Sequence, residues 1–232
     1  MATVDVKKLE RELGVTFNKR AILQEALTHR SYLNENSEWP LRNNERLEYL
    51  GDAVLELVVT EYLYAKFPER EEGELTSLRA ALVNYQMLAR IAKEISLDEY
   101  VYLSRGESKD SGRAREVILA NTIEAVIGAV HLDQGYDAVR AFVERSVLCH
   151  LDEIIEKKLY RDPKSMLQEL IQERMKLTPT YRVLKEEGPD HQKNFHVGVY
   201  FGDKLVAQGI GLSKQDAELR AAEHALKILT DQ

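Results

Sequence analysis

The spacing of apolar residues changes once along this chain, near residues 157–163, and that change constrains the fold more than any other feature. Up to about residue 158, apolar residues recur three and four positions apart, which is the period of amphipathic helices. Residues 179–211 instead contain three runs of alternating apolar residues, broken by "EGPDHQ" and "FGDK", a pattern typical of strands joined by hairpins. The sequence therefore predicts an all-α domain over residues 1–158 and a small α+β domain, ordered α-β-β-β-α, over residues 159–232.

Local signals mark the elements of the second domain. Asp162 and Pro163 are placed as the N-cap and first residue of a helix, and Ser213, with Asp216 three residues later, is placed as the N-cap of another. Gly202 and Asp203 predict a tight hairpin turn. With three strands paired by short hairpins, we expect both helices to cover one face of the sheet.

Six runs in the first domain have helical periodicity, which predicts six or more helices. Pro68 and Gly73 are expected to separate the third run from the fourth, and Gly135 to end the fifth. Between residues 104 and 115, "SRGESKDSGRAR" has the composition of a loop. Its arginines could contact phosphate, or the loop could simply be solvated, and the sequence leaves both interpretations open.

Composition excludes some classes of protein. The chain has 232 residues, 44% hydrophobic and 31% charged, as in ordinary globular proteins. The N-terminus lacks the apolar core of a signal peptide, and no apolar run approaches the ~18 residues of a membrane span, so we expect a cytoplasmic protein without a membrane partner. The single cysteine, Cys149, excludes an intrachain disulfide, and we expect it to be a small buried residue rather than a catalytic thiol.

The net charge of −7 is unevenly distributed. Residues 160–232 hold 11 basic and 11 acidic residues and are therefore neutral. The other 21 basic and 28 acidic residues lie before residue 160, and so does the whole net negative charge. A neutral domain can still carry a basic stripe on one face. Net charge therefore does not exclude a nucleic-acid partner.

Three carboxylates in "NNERLEYLGDAVLELVV", Glu45, Glu48 and Asp52, lie at positions i, i+3 and i+7 and share one helix face with Glu56. Like charges repel one another at this spacing. The face is consequently either solvated, as in any amphipathic helix, or bound to a cation.

The fifth run, "VILANTIEAVIGAVHL", is apolar nearly all round and predicts a buried helix that contains Asn121 and Glu124 on one face. A buried carboxylate must be neutralised, hydrogen-bonded or bound to a cation. An arginine salt bridge would suffice. Oxygen ligands from two helices would also suit Mg²⁺, which takes a few carboxylates and completes its shell with water and phosphate oxygens.

Longer stretches resemble a known family. "ALTHRSY", "NNERLEYLGDAVL", "EEGELTSLRAALV" and "REVILANTIEAVIGAVHLDQG" resemble, in order, the motifs of bacterial ribonuclease III. "DPKSMLQELIQ", "PTY", "GPDHQKNFHVGVY" and "SKQDAELRAAEHAL" resemble a double-stranded-RNA-binding domain. The resemblance covers nearly the whole chain.

The resemblance implies a homodimeric endonuclease domain that hydrolyses double-stranded RNA with Mg²⁺, Mn²⁺ being a possible substitute, and with no other small-molecule cofactor. The expected products carry 5′-phosphate and 3′-hydroxyl ends, and the expected substrates are ribosomal and other structured RNA precursors. By residue-to-residue correspondence, the implied site residues are catalytic Asp52 and Glu124, metal-binding Glu48, Asn121 and Glu124, supporting acidic Glu45 and Glu72, and Tyr49 as an aromatic that enters a socket on the partner subunit.

One position departs from the family pattern, because Asn121 stands where an aspartate is usual. The amide oxygen can still bind Mg²⁺ but carries no charge, which predicts weaker metal binding. The asparagine could be natural, could be an engineered change, or could mark a double-stranded-RNA-binding regulator with impaired cleavage. For the function of the chain, a purely structural helical protein is a third possibility after the nuclease and the RNA-binding regulator, and the C-terminal domain argues against it.

The resemblance also implies an RNA-reading surface. Gln168 and Glu169 would contact 2′-hydroxyls in one minor groove, His191 in the "GPDH" loop would enter a second, and Lys214 would neutralise phosphates between them. Without the family, all four would be ordinary exposed residues. Gln215 replaces a second lysine that is common there, which predicts weaker and more salt-sensitive binding, with compensation possible from Lys193, Lys204 and Arg220.

Overall fold

A computed structural model of the chain describes residues 5–188 and 193–230. The chain divides into two compact units, residues 1–160 and 161–232. The described part of the first is helical apart from turns and a single isolated bridge, whereas the second has the order helix, three strands, helix. The predicted fold classes of both are therefore confirmed.

The helices of the first unit are α1 (Val6–Leu13), α2 (Arg20–Ala26), α3 (Arg30–Glu35), α4 (Glu45–Lys66), α5 (Glu72–Val83), α6 (Tyr85–Glu94), α7 (Arg113–Gln134), α8 (Tyr136–Ser146) and α9 (Leu151–Glu156). Several runs that look continuous in the sequence are divided. Residues 19–33 form α2 and α3, and the fourth run forms α5 and α6. Gly73, expected to precede the fourth helix, lies instead in the first turn of α5, which begins at Glu72.

Pairing with a distant segment interrupts the second run. Tyr102 donates its backbone N–H to the carbonyl of Leu27 at 2.9 Å and accepts from the N–H of His29 at 3.1 Å. These backbone groups are therefore not available to continue a helix through Thr28. At the other break, the side chain of Asn84 accepts from the N–H of Met87 at 3.0 Å and so caps the start of α6.

Helices α4 and α7 form the centre of the first unit and cross at two glycines. A Cβ on Gly51 would overlap the backbone carbonyl oxygen of Glu124, and one on Gly128 would overlap the carbonyl oxygen of Leu47. The two backbones are thus in direct contact, which only glycine permits. This crossing places the acidic face of α4 beside Asn121 and Glu124 of α7.

The segment predicted as a loop begins as expected but ends earlier. It contains one short 3₁₀ turn, Glu107–Lys109, and gives way to α7 at Arg113. Arg113 lies over the ring of Tyr85, with 5.6 Å from its guanidinium carbon to the ring centroid. Arg115 donates to the carbonyl of Asp98 at 2.9 Å. Both arginines therefore belong to the helix, where they have structural contacts.

Cys149 is exposed, so the expectation of a buried residue was wrong. It lies in a 3₁₀ turn, Leu148–His150, between α8 and α9. Desolvation by its neighbours and the charge of Glu94 raise the pKa of its thiol, which disfavours the reactive thiolate. Separately, none of the helices within residues 5–188 and 193–230 is long and apolar enough to span a bilayer.

The second unit contains α10 (Pro163–Met175), β1 (Thr180–Glu187), β2 (Asn194–Phe201), β3 (Lys204–Gly211) and α11 (Lys214–Thr230). The strands form an antiparallel sheet in the order β1-β2-β3. Gly202 has a φ of 60° in the two-residue turn between β2 and β3, as predicted for a tight hairpin.

Both helix starts of the second unit are confirmed. The carboxylate of Asp162 accepts from the N–H groups of Lys164 and Ser165, each at 3.3 Å, and Pro163 is the first helical residue. Ser213 Oγ accepts from the N–H of Asp216 at 3.1 Å, while the Asp216 carboxylate accepts from that of Leu212 at 3.2 Å. These bonds satisfy the backbone groups at each helix start.

A single small core joins both helices to the sheet. It contains Leu167 and Ile171 of α10, Val199 of β2, and Ala221 and Ala225 of α11. Because both helices pack into the same core, they cover the same face of the sheet, as predicted.

Candidate active site and RNA-binding residues

The predicted acidic residues of α4 and α7 lie together at the helix crossing. Glu48 and Glu124 are half-buried, whereas Asp52 is exposed. The side chain of Asn121, on α7, favours the charged form of Glu48, on α4, by hydrogen bonding. Glu48, Asp52, Asn121 and Glu124, which we call the acidic cluster, thus occupy one region of the first unit.

The carboxylates of the acidic cluster are electrostatically coupled. Burial, with the charges of Asp52 and Glu48, raises the pKa of Glu124 to about 8. Burial and the charge of Glu45 also raise the pKa of Glu48, an effect that the Asn121 hydrogen bond opposes. The principal causes of both pKa shifts disfavour the ionised carboxylates, whereas a bound cation would favour them.

A cavity of about 580 Å³ opens beside the cluster, between α4, α7 and the start of α3. Its lining contains Glu45, Glu48 and Asn121. His29 and Asn44, which the sequence did not single out, also line it. The cavity therefore brings two helices and a loop together around predicted metal ligands.

Within residues 5–188 and 193–230, no three His, Cys, Asp and Glu side chains form a group that could hold a metal ion. Mg²⁺ does not require one, because proteins usually bind it through one or two carboxylates with water and phosphate oxygens. The oxygen donors of the acidic cluster therefore suit this ion, and its positive charge would offset the cost of ionising Glu124.

The supporting acidic residues differ in position. Glu45 lines the cavity and forms an ion pair with Arg30 at 3.5 Å. Glu72 begins α5 and accepts from Thr76 Oγ1 at 2.8 Å, in a separate depression that also contains Thr60 and Arg79. Within one chain, the structure does not bring Glu72 into the cavity beside Glu48.

An exposed apolar stripe follows α4. Tyr49 is 84% exposed, Leu57 49% and Tyr64 75%, which are high values for large side chains along one helix. Together with exposed Ala53 and Thr60, they fall within about 80° of the helix circumference. The sequence identified only Tyr49 of this α4 stripe.

The described RNA-binding candidates are all exposed, and two have partners within the second unit. Glu169 forms an ion pair with Arg161 at 2.5 Å, while Gln168 lies beside it on α10. Lys214 Nζ lies 3.5 Å from the Glu186 carboxylate. His191 lies outside the described residues.

Sequence reasoning missed the glycines that position the acidic cluster. Gly51 and Gly128 each lie in the middle of a 22-residue helix. Glycine is disfavoured in a helix interior, so its presence between apolar residues is a signal of close backbone contact.

Comparisons with known proteins agree with this architecture. Residues 19–151 match the family model described as "Ribonuclease-III-like", and residues 163–229 match "Double-stranded RNA binding motif". A ribonuclease 3 of Pelotomaculum thermopropionicum is 46% identical over 94% of this chain and 90% of its own length. One from Syntrophobacter fumaroxidans is 44% identical over 97% and 94%.

A solved structure supports the helical unit. The crystal structure of the nuclease domain of ribonuclease III from Campylobacter jejuni is 42% identical, with a TM-score of 0.55, and covers 61% of this chain and 92% of that one. A second structure of that domain, described as flexible in a region involved in dimer formation, is 40% identical with a TM-score of 0.55, and covers 61% of this chain and 98% of that one.

Fold, acidic cluster and comparisons together define a helical nuclease joined to a double-stranded-RNA-binding motif. The chain belongs to the ribonuclease III family. It is accordingly an endoribonuclease for double-stranded RNA, and family membership implies a divalent metal cofactor.

Proposed function

We propose that this chain is a cytoplasmic, homodimeric endoribonuclease that uses Mg²⁺, with Mn²⁺ as a substitute, to process ribosomal and other structured RNA precursors. Residues 1–158 act as the endonuclease domain and residues 159–232 as the RNA-binding domain. The products carry 5′-phosphate and 3′-hydroxyl ends.

The observation that carries this proposal is the half-buried Glu124 carboxylate, whose pKa is raised to about 8 beside Asp52 and Glu48. Such a site is unfavourable for an isolated anion and favourable for a bound cation. Glu48, Asn121 and Glu124 are the residues that would hold the ion. Bound Mg²⁺ supplies Lewis acidity, which lowers the pKa of water and stabilises a leaving oxyanion.

Three side chains of the acidic cluster have separate proposed roles in the reaction. Glu124 would hold the ion as a carboxylate, so its raised pKa would make the retention of metal weaker at low pH. Asp52 is exposed at the edge of the cluster, so its carboxylate can accept a hydrogen bond from the attacking water and orient it towards the phosphate. Asn121 holds the Glu48 carboxylate in position by hydrogen bonding.

The α4 stripe supports the homodimer. In a two-fold symmetric dimer the same patch meets itself. If two antiparallel copies of α4 cross near Leu57, Tyr49 of one copy faces the region around Tyr64 of the other, because the two residues lie almost equally far from Leu57. A depression of about 380 Å³, lined by Leu63, Tyr64 and Leu75 among others, lies there and can accept an aromatic ring.

The second unit supplies affinity for the duplex. Gln168, Glu169 and His191 are proposed to contact minor-groove 2′-hydroxyls, and Lys214 the phosphates between the grooves. Lys214 lies at the first position of α11, where the partial positive charge of the helix start adds to its own.

The test is incubation of the full chain with a long RNA duplex in Mg²⁺, in Mn²⁺ and in EDTA, beside a DNA duplex of the same sequence. We expect metal-dependent cleavage of RNA alone, with 5′-phosphate ends shown by labelling. The variant Glu124→Gln should bind RNA in a gel shift without cutting it. A gel shift without cleavage by the unaltered chain would contradict the proposal and favour an RNA-binding regulator.

A further inference from the structure

Two residues with side-chain N–H donors, Asn44 and His29, line the cavity. The amide nitrogen of Asn44 is buried and lacks a hydrogen-bond partner, in a residue only 2% exposed. The second donor is the ring of His29, which lines the same cavity. A buried unpaired donor costs free energy, so an unpaired donor facing a cavity points to a ligand acceptor.

The hydrogen bonds of His29 determine which ring nitrogen carries the proton. Nδ1 lies 3.3 Å from the N–H of Ser31, which can only donate, so Nδ1 must accept. Ser31 Oγ accepts from the N–H of Ser104 at 3.1 Å and lies 2.8 Å from the same Nδ1, to which it gives its own proton. A neutral ring therefore has its proton on Nε2, and burial favours the neutral ring by lowering the pKa of His29.

The other walls of the cavity indicate what kind of ligand these donors accept. Glu45, Glu48 and Glu107 contribute carboxylates. Arg30 also lines the cavity but is paired with Glu45 at 3.5 Å, so a phosphate at the His29 edge would still be repelled by Glu48 and Glu107. A hydroxyl fits better, because its oxygen accepts from an N–H donor while its proton is donated to a carboxylate. In RNA, the backbone group with both capacities is the ribose 2′-hydroxyl, which DNA lacks.

We propose that His29 and Asn44 form a ribose-reading edge of the active-site cavity, which binds one 2′-hydroxyl of the strand being cleaved and thereby helps to select RNA over DNA. This inference rests on the proposed function, since it places the cleaved strand in the cavity. The three-residue arrangement of Ser104, Ser31 and His29 fixes the ring, so Ser31 is a positioning residue.

The test pairs enzyme variants with substrate variants. RNA hairpins carrying one 2′-deoxynucleotide, moved stepwise across the cleavage site, are cut by the full chain in Mg²⁺ and kcat/KM is measured. His29→Asn keeps an oxygen near the Nδ1 position, and so the cap to Ser31, but removes the donor at the Nε2 position. His29→Gln places an amide N–H near that position, and Asn44→Ser shortens the second donor.

For the unaltered chain, one substrate position should lower kcat/KM by about tenfold when its 2′-hydroxyl is removed, as expected for loss of a buried hydrogen bond. His29→Asn should lose about tenfold on the all-ribose hairpin and be insensitive to deoxy substitution at that position. Asn44→Ser should also make kcat/KM less sensitive to removal of that 2′-hydroxyl, whereas His29→Gln should remain as sensitive as the unaltered chain.

Sensitivity that persists in His29→Asn would overturn the proposal, as would the absence of any sensitive position. A second readout is the affinity of the same hairpins in EDTA, measured by fluorescence anisotropy. The unaltered chain should bind the all-ribose hairpin more tightly than the deoxy-substituted one, and His29→Asn should bind the two equally. No cleavage of the all-ribose hairpin by the unaltered chain would contradict the proposed function, and the binding measurement would still decide the role of His29. Thermal unfolding checks that each variant is folded.

Discussion

Gly51 of α4 lies directly against the backbone carbonyl of Glu124 in α7, with no room between them for even a methyl group. A Cβ at Gly51 would also lie 2.9 Å from the amide nitrogen of Gly128. The position of the Glu124 carboxylate relative to Glu48 and Asp52 is therefore set by backbone contact. The acidic cluster depends on this crossing as much as on its own side chains.

Gly51→Ala should consequently weaken both the fold and the activity. The added methyl must push the two central helices apart, and we expect the free energy of unfolding to fall by about 2 kcal/mol or more. Urea denaturation and RNA cleavage measure the two effects. Gly73→Ala is the matched control, because its Cβ would meet nothing within 4 Å. This change should stabilise α5 by about 0.5 kcal/mol, and equal stability of both variants would contradict the argument.

Local pattern was sufficient to predict much of the fold. The strands, the hairpin at Gly202 and the caps at Asp162 and Ser213 depend on neighbours within a few residues, so their signals are written in contiguous sequence. The acidic face of α4 follows from helical spacing in the same way.

Features that depend on distant contacts were not predictable. The break at Thr28 exists because Tyr102 pairs with it from more than 70 positions away. The exposure of Cys149 follows from a 3₁₀ turn, which has three residues per turn and so shifts the helical phase. The hydrogen bonds that orient His29 require Ser104. The roles of the site residues themselves came from family resemblance and stay predictions.

Glu124 should make the stability of the metal-free protein pH-dependent. Its pKa is raised from 4.5 to about 8, so the folded state binds the proton more tightly than the unfolded state. The contribution of protonated Glu124 to the free energy of unfolding is complete below pH ~4.5. It decreases as the pH rises and is lost above pH ~8, a change on the order of a few kcal/mol. In EDTA, Glu124→Gln should be more stable than the unaltered chain at pH 8.5, with the difference shrinking towards pH 4.5. A constant difference across this range would contradict the assignment.

The α4 stripe should control the oligomeric state. Leu57→Glu would place a charge at the centre of the proposed interface, and Tyr49→Ala would remove its most exposed aromatic. We expect Leu57→Glu to be monomeric and Tyr49→Ala to dimerise more weakly in sedimentation equilibrium. Leu132→Glu changes a side chain of similar exposure, 58%, on α7, and should leave the dimer intact. A dimeric Leu57→Glu would exclude this surface.

Gln215→Lys should strengthen RNA binding and make the affinity fall more steeply with salt. This corrects the expectation that Gln215 makes binding more salt-sensitive, because fewer phosphate contacts give a shallower salt dependence. Position 215 is exposed beside Lys214, whose charge is partly offset by Glu186 at 3.5 Å. One additional phosphate contact should raise the slope of log affinity against log salt by about 1. Gln208→Lys, an exposed position on β3, controls for net charge. If the unaltered chain already bound as tightly as Gln215→Lys, the expected weakness of this domain would be wrong.

Asn121→Asp should lower the stability of the metal-free protein and raise its affinity for Mg²⁺. The change removes the amide hydrogen bond that favours ionised Glu48 and adds a negative charge near Glu48 and Glu124. In EDTA at pH 8 we expect a lower melting temperature than that of the unaltered chain, because the added carboxylate repels its neighbours. In Mg²⁺, half-maximal cleavage should require a several-fold lower metal concentration, since a charged ligand replaces a neutral one. Asn121→Ala provides neither the hydrogen bond nor a ligand, so it should need more Mg²⁺ than the unaltered chain. If the three proteins had the same Mg²⁺ requirement, residue 121 would not be a metal ligand.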